Sequence, residues 1–64
     1  MNLYSSREVI KMLKADGWYQ VRCTGDHFQF KHDKKPGLVT VRHPVKELSK
    51  NDLKSIQKQS GLKF

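Results

Sequence analysis

The spacing of apolar residues along the chain changes period twice. From Ser6 to Ala15 it is helical: Val9, Ile10 and Leu13 form a narrow stripe with Met12 beside it. Ser5 followed by Glu8 matches the S-x-x-E capping box that opens helices, and Gly17 supplies a stop, so a helix is predicted over about residues 6–15. The period then drops to two. Trp18 to Thr24 reads as a strand, with Tyr19, Val21 and Cys23 on one face and Gln20, Arg22 and Thr24 on the other. His27 to His32 alternates strictly, Phe28 and Phe30 against His27, Gln29 and Lys31. In a third strand, Leu38 to Arg42, Val39 and Val41 oppose Leu38, Thr40 and Arg42. Gly25-Asp26 is a two-residue hairpin signal, since glycine suits the first central position of a type II′ turn. Asp33-Lys34-Lys35-Pro36-Gly37 is a loop by its charge and its Pro-Gly. Beyond His43-Pro44 the period returns to helical: Ser49 and Asp52 open a second helix, Leu53 and Ile56 point inward, and Gly61 ends it.

This order predicts a single small α+β domain over residues 1–64, of α-β-β-β-α type, with both helices on one face of a three-stranded antiparallel sheet. Each helix has only one apolar stripe to bury, so neither belongs on the other face. A chain of 64 residues has no room for a second domain and builds only a thin core. Alternation then sorts the strand residues. Val21, Cys23, Phe28, Phe30, Val39 and Val41 are expected inside, and Gln20, Arg22, His27, Gln29, Lys31, Thr40 and Arg42 outside.

Charge gives that outer face a meaning. Thirteen Lys and Arg against six Asp and Glu leave a formal charge of +7. Such a chain attracts polyanions: nucleic acid, an anionic membrane or an acidic protein. A solvated sheet face is polar in any case, but this one carries three cations and no acid among its strand residues. Lys50, Lys54 and Lys58 recur every fourth residue, on a ridge about 130° round the second helix from Leu53 and Ile56. Lys46 continues the spacing if that helix extends backwards. Like charges at i, i+4 cost a few tenths of a kcal/mol each, so an unpaired ridge points to phosphate contact.

Other chemistries are excluded or left without support. No run of roughly 20 apolar residues is present to span a membrane. The opening Met1-Asn2-Leu3-Tyr4-Ser5 lacks the apolar core of a secretory signal. Cys23 has no partner for an internal disulfide, which fits a reducing cytoplasm, and it reads as a small core hydrophobe. Neither a metal nor another cofactor is expected, because the spacings of Cys23, His27, His32 and His43 match no ligand motif. There is no glycine-rich phosphate loop and no Ser-His-Asp order. His32 shares the parity of Phe28 and Phe30 and reads as structural, while His43 stays ambiguous. His27 is the candidate for chemistry. It follows a tight turn on the cationic face, and histidine's ordinary pKa of about 6.5 suits proton transfer near neutral pH.

Taken together, these pieces resemble the HicA toxin family, small bacterial mRNA interferases with a double-stranded-RNA-binding-domain-like fold. The resemblance covers nearly the whole chain. It rests on a first helix ending in Gly17-Trp18, on Arg22 in the first strand, and on a Gly-Ser-His signature matched by Gly25-Asp26-His27. Val39-Thr40-Val41-Arg42-His43, Glu47-Leu48 and the run from Ile56 to Gln59-Ser60-Gly61-Leu62 complete it. Two positions depart from the family pattern. Asp26 replaces the signature serine, and Pro44 follows the late histidine where members commonly place a proline before it. A carboxylate at 26 attracts an imidazolium but repels a phosphate, and it removes a hydroxyl donor.

The resemblance implies metal-independent cleavage of mRNA, with His27 as general acid/base, restrained by a HicB-type antitoxin. Arg22, Lys31 or Arg42 would stabilise charge, and Lys50, Lys54 and Lys58 would hold the RNA backbone. The partner of His27 in proton transfer is open between Asp26 and water. The residues by themselves reach only RNA binding plus one titrating group. A non-catalytic RNA-binding module is therefore the alternative, and an adaptor that grips an acidic protein is a third reading.

Overall fold

The structure is a computed structural model and describes residues 4–64. Met1-Asn2-Leu3, the start of the stretch expected to carry no secretory signal, lies outside the described residues. The element order is α1 (Ser6–Ala15), β1 (Tyr19–Thr24), β2 (His27–Lys31), β3 (Val39–Arg42) and α2 (Lys50–Ser60). The strands form one antiparallel sheet in the order β1-β2-β3. This is the small α-β-β-β-α domain that the alternation predicts.

Local chemistry sets the helix ends. The Ser5 hydroxyl accepts from the Glu8 N–H while the Ser5 N–H donates to the Glu8 carboxylate, so the capping box is complete. The Ser49 hydroxyl accepts the Asp52 N–H in the same way, and Gly61 ends α2 in the left-handed conformation at φ 76°. Because α2 begins at Lys50, Lys46 lies outside it. In the β1–β2 hairpin Gly25 has φ 57° and, as for every non-glycine among the described residues, Asp26 does not have positive φ, the sign pattern of a type II′ turn.

The core lies between the sheet and the helices. Val9 and Leu13 of α1, Leu53 and Ile56 of α2, and Leu48 before it bury against Phe30, Val39 and Val41, with Trp18 closing one end. Both helices pack chiefly on β3, and β1 is left at the far edge with every residue exposed. Cys23 is therefore not the core residue its parity suggests. It shares the side of Phe28, but no helix reaches under β1, and the thiol is exposed with its Sγ 3.5 Å from the Gly25 carbonyl.

The alternation of β1 is also broken. Tyr19 opposes Lys31 and Gln20 opposes Phe30, yet the next pair is Arg22 with Gln29, so Val21 is the extra residue of a β-bulge. Directly opposed residues share a face. Gln20 thus moves to the side of Phe30, and Tyr19 to the side of Lys31, reversing the expected assignment of both. Val21 turns outward as well, 45% exposed instead of buried. The cause is a conflict of parity. Trp18 is only 2% exposed and must face the core, while the two-residue turn sets Cys23 opposite Phe28 on that same face. Residues 18 and 23 have opposite parity, and one inserted residue reconciles them.

Candidate functional site

The outer face is built on three neighbouring strand positions. Thr24 opposes His27 on one side and Arg42 opposes it on the other, so these residues form a row across the sheet. The next row is Arg22, Gln29 and Thr40, and Lys31 follows further along β2. The structure thus brings together His27, Arg22, Lys31 and Arg42 on one face, as alternation of β2 and β3 requires. The hairpin turn is pinned to the end of β3, because the His43 N–H donates to the Asp26 carbonyl at 2.8 Å. That bond holds His27 at a fixed place at the rim of the sheet.

Two carboxylates reach this face from outside the strands. Asp26 Oδ1 lies 3.3 Å from His27 Nε2, and its Oδ2 lies 4.0 Å from Arg42 Nε. Asp52, on the first turn of α2, sets Oδ2 3.9 Å from Arg42 Nη1. The face is therefore not free of acid, as its strand residues suggested. These pairs are exposed or half-exposed and contribute little to stability, but they make Arg42 the most compensated of the three cations. Arg22 and Lys31 have no carboxylate within 4 Å among the described residues.

The lysines of α2 sit elsewhere. Asp52 reaches Arg42, and the Gln59 side chain accepts the Thr40 N–H at 3.1 Å, so residues 52 and 59 mark the side of α2 turned to the edge of β3. Lys50, Lys54 and Lys58 lie about 170° to 250° round the helix from that side and are exposed. They form a separate cationic stripe, one the structure does not bring to His27.

The other histidines are engaged on the opposite side of the sheet. His32 donates or accepts at both nitrogens: Nε2 is 2.7 Å from the Asp16 carbonyl, and Nδ1 accepts the Lys34 N–H at 2.9 Å. This pattern assigns the proton to Nε2 and gives His32 the structural role expected of it. His43, ambiguous in the sequence, packs edge-on against Phe28 with ring centroids 5.0 Å apart, and its Nδ1 is 2.7 Å from the Ser6 hydroxyl. It borders a depression of about 430 Å³ at the start of α1. That depression opens beside the His43 ring on the core side of the sheet, not on the face that carries His27. The row of Thr24, His27 and Arg42 lies on the other, more exposed face.

Sequence reasoning missed two apolar residues on the outer face, Tyr19 and Val21, which join Leu38, already placed there with Thr40 and Arg42. Tyr19, Val21 and Leu38 are all exposed there or beside it. Val21 and Leu38 line a shallow depression of about 260 Å³ with Arg22, Gln29 and Lys31. The signal that reveals Tyr19 and Val21 is the parity clash between Trp18 and the hairpin.

A small α+β domain with an open three-stranded sheet and a cationic face holding one exposed histidine is the class of protein defined so far. The family model of the HicA toxin of bacterial toxin–antitoxin systems matches residues 6–62, and the chain belongs to that toxin family. Among solved structures it is similar to a toxin–antitoxin complex from Streptococcus pneumoniae, with 32% identity and a TM-score of 0.74. That match covers 91% of this chain and 97% of the other. No curated protein matches the sequence. No helix among the described residues is long and apolar enough to cross a membrane.

Proposed function

We propose that this toxin is a metal-independent endoribonuclease that cleaves mRNA on the outer sheet face, with His27 as general acid/base. The observation that carries the reading is the row Thr24–His27–Arg42: an exposed imidazole fixed at the sheet rim, with a guanidinium beside it. Cleavage moves the 2′-hydroxyl proton to a base, forms the O2′–P bond and breaks the P–O5′ bond. A proton then goes to O5′, leaving a 2′,3′-cyclic phosphate and a 5′-hydroxyl. His27 supplies the proton transfer, and Asp26, 3.3 Å from Nε2, orients the ring. Arg42, Arg22 and Lys31 balance the charge that builds on the phosphorane. The stripe of Lys50, Lys54 and Lys58 holds the backbone of a longer RNA beyond the cleaved segment.

A HicB-type antitoxin is the proposed partner, supported by family membership and by the similar toxin–antitoxin complex. It would restrain the toxin by covering His27 and the surrounding cations. The deciding experiment is RNA cleavage by the purified chain with a chelator present. We expect cleavage by the parent, and a fall of about 100-fold or more in His27→Ala with its thermal unfolding unchanged. Equal cleavage by the variant would remove His27 from the chemistry. Salt-sensitive binding of RNA that stays intact would leave a binding module in place of a nuclease.

A further inference from the structure

We infer that the bulge of β1 builds a seat for one nucleotide of single-stranded RNA next to His27. The inference rests on the ribonuclease reading of the same face and adds to it a contact able to read sequence. Three observations converge on the seat. The depression of about 260 Å³ is just under the size of sites that enclose drug-sized ligands, and suits a smaller planar group. Its walls are Val21 and Leu38, two large apolar side chains left 45% and 42% exposed. Its floor and rim are Gln29, Arg22 and Lys31.

That combination fits a nucleotide better than a plain apolar or a plain anionic ligand. A base offers two apolar faces, which Val21 and Leu38 match. Its edge carries donors and acceptors, and the Gln29 amide has both. The phosphates on either side are anionic, and Arg22 and Lys31 are the cations of this face without a carboxylate close by. Gln29 also lies two residues along β2 from His27 on the same face, about 7 Å away. One extended nucleotide spans that gap, so the seated base belongs to a residue adjoining the scissile phosphate. The bulge is what makes the seat. In a regular strand Val21 would face the core side and leave the outer face without that wall, and bulges re-aim side chains in this way beside functional sites.

The test titrates the isotope-labelled full chain with each of the four nucleoside 5′-monophosphates, following backbone amides by NMR. Ribose 5-phosphate and inorganic phosphate serve as controls. We expect the amides of Val21, Arg22, Gln29, Lys31 and Leu38 to move with the nucleotides and much less with the controls. One base should bind about tenfold tighter than the weakest. Gln29→Leu should flatten that preference while the Val21 and Leu38 amides still respond. Absence of shifts at these residues overturns the seat, as do equal shifts with ribose 5-phosphate. If the patch moves only when an antitoxin protein is added, it is a protein-docking surface and the seat is again overturned. The readout does not depend on catalysis. A chain that seats nucleotides but cuts no RNA refutes the nuclease and keeps the seat, and one that cuts RNA without nucleotide shifts loses the seat alone.

Discussion

Asp26 is under opposed demands. Its backbone carbonyl ties the hairpin to β3 and its carboxylate lies against the His27 ring, yet in the proposed function its charge would face the RNA phosphate drawn to the neighbouring cations. Replacing it by the family's serine keeps the turn and removes the repulsion. Asp26→Ser is expected to bind a short RNA severalfold tighter at low salt, the gain shrinking as salt screens the charge. Unchanged or weaker binding by fluorescence anisotropy would show that the carboxylate does not oppose RNA. Gly17 is a second position where one atom decides. It sits at φ 106°, and a Cβ there would come 2.7 Å from His32 Nε2, the nitrogen that holds the Asp16 carbonyl. Gly17→Ala should cost about 1–3 kcal/mol, and for a domain this small each kcal/mol lowers Tm by about 4–8 °C. A melting curve within a degree of the parent would contradict that contact. The stop at Gly17 was legible in the sequence. Its steric reason was not, because His32 lies 15 positions away in the chain.

Elements whose signals are local were readable, and the one that depends on two distant constraints was not. The capping box, the hairpin turn and the αL stop each occupy a few consecutive residues, and all stand where the motifs place them. Ser5→Ala should accordingly lose about 1 kcal/mol of stability through α1, measured by chemical unfolding. The bulge instead arises from Trp18 being claimed by the core and Cys23 by the hairpin register. Simple alternation therefore misplaced Tyr19, Gln20 and Val21, and it took Cys23 for a core residue because it ignores which strand the helices cover. Removing Val21 tests this account. The deletion gives β1 the regular parity that both ends demand, so cooperative unfolding should persist. Loss of the folded state would mean that the bulge serves some purpose other than reconciling the two ends.

For the molecule as a whole, the acid limit of stability follows from its paired carboxylates. The Lys35 ammonium, 2.6 Å from Asp16, holds that carboxyl below its ordinary range, and the Ser5 N–H does the same for Glu8. Both groups are depressed in the folded state. Their stabilisation is thus present above about pH 4 and lost as pH falls through the lower folded values. Tm should drop below pH 4, and less steeply in Asp16→Asn; an equal drop would assign the acid limit to other groups. Charge also divides by surface. With Arg22, Lys31 and Arg42 as the phosphate contacts, a short single strand should give a log–log salt slope near about −2. Neutralising Lys50, Lys54 and Lys58 together should weaken a long RNA and leave the short one almost unaffected. The edge position of β1 has a last consequence, for self-association. An uncovered outer strand is a template onto which a second copy of the chain can add, and an irregular ladder bearing a charged side chain is a common guard against it. The bulge between Gln20 and Arg22 interrupts that template midway. The residue that reconciles the two ends of β1 thereby also makes that strand a poorer template for a second copy of this cationic chain.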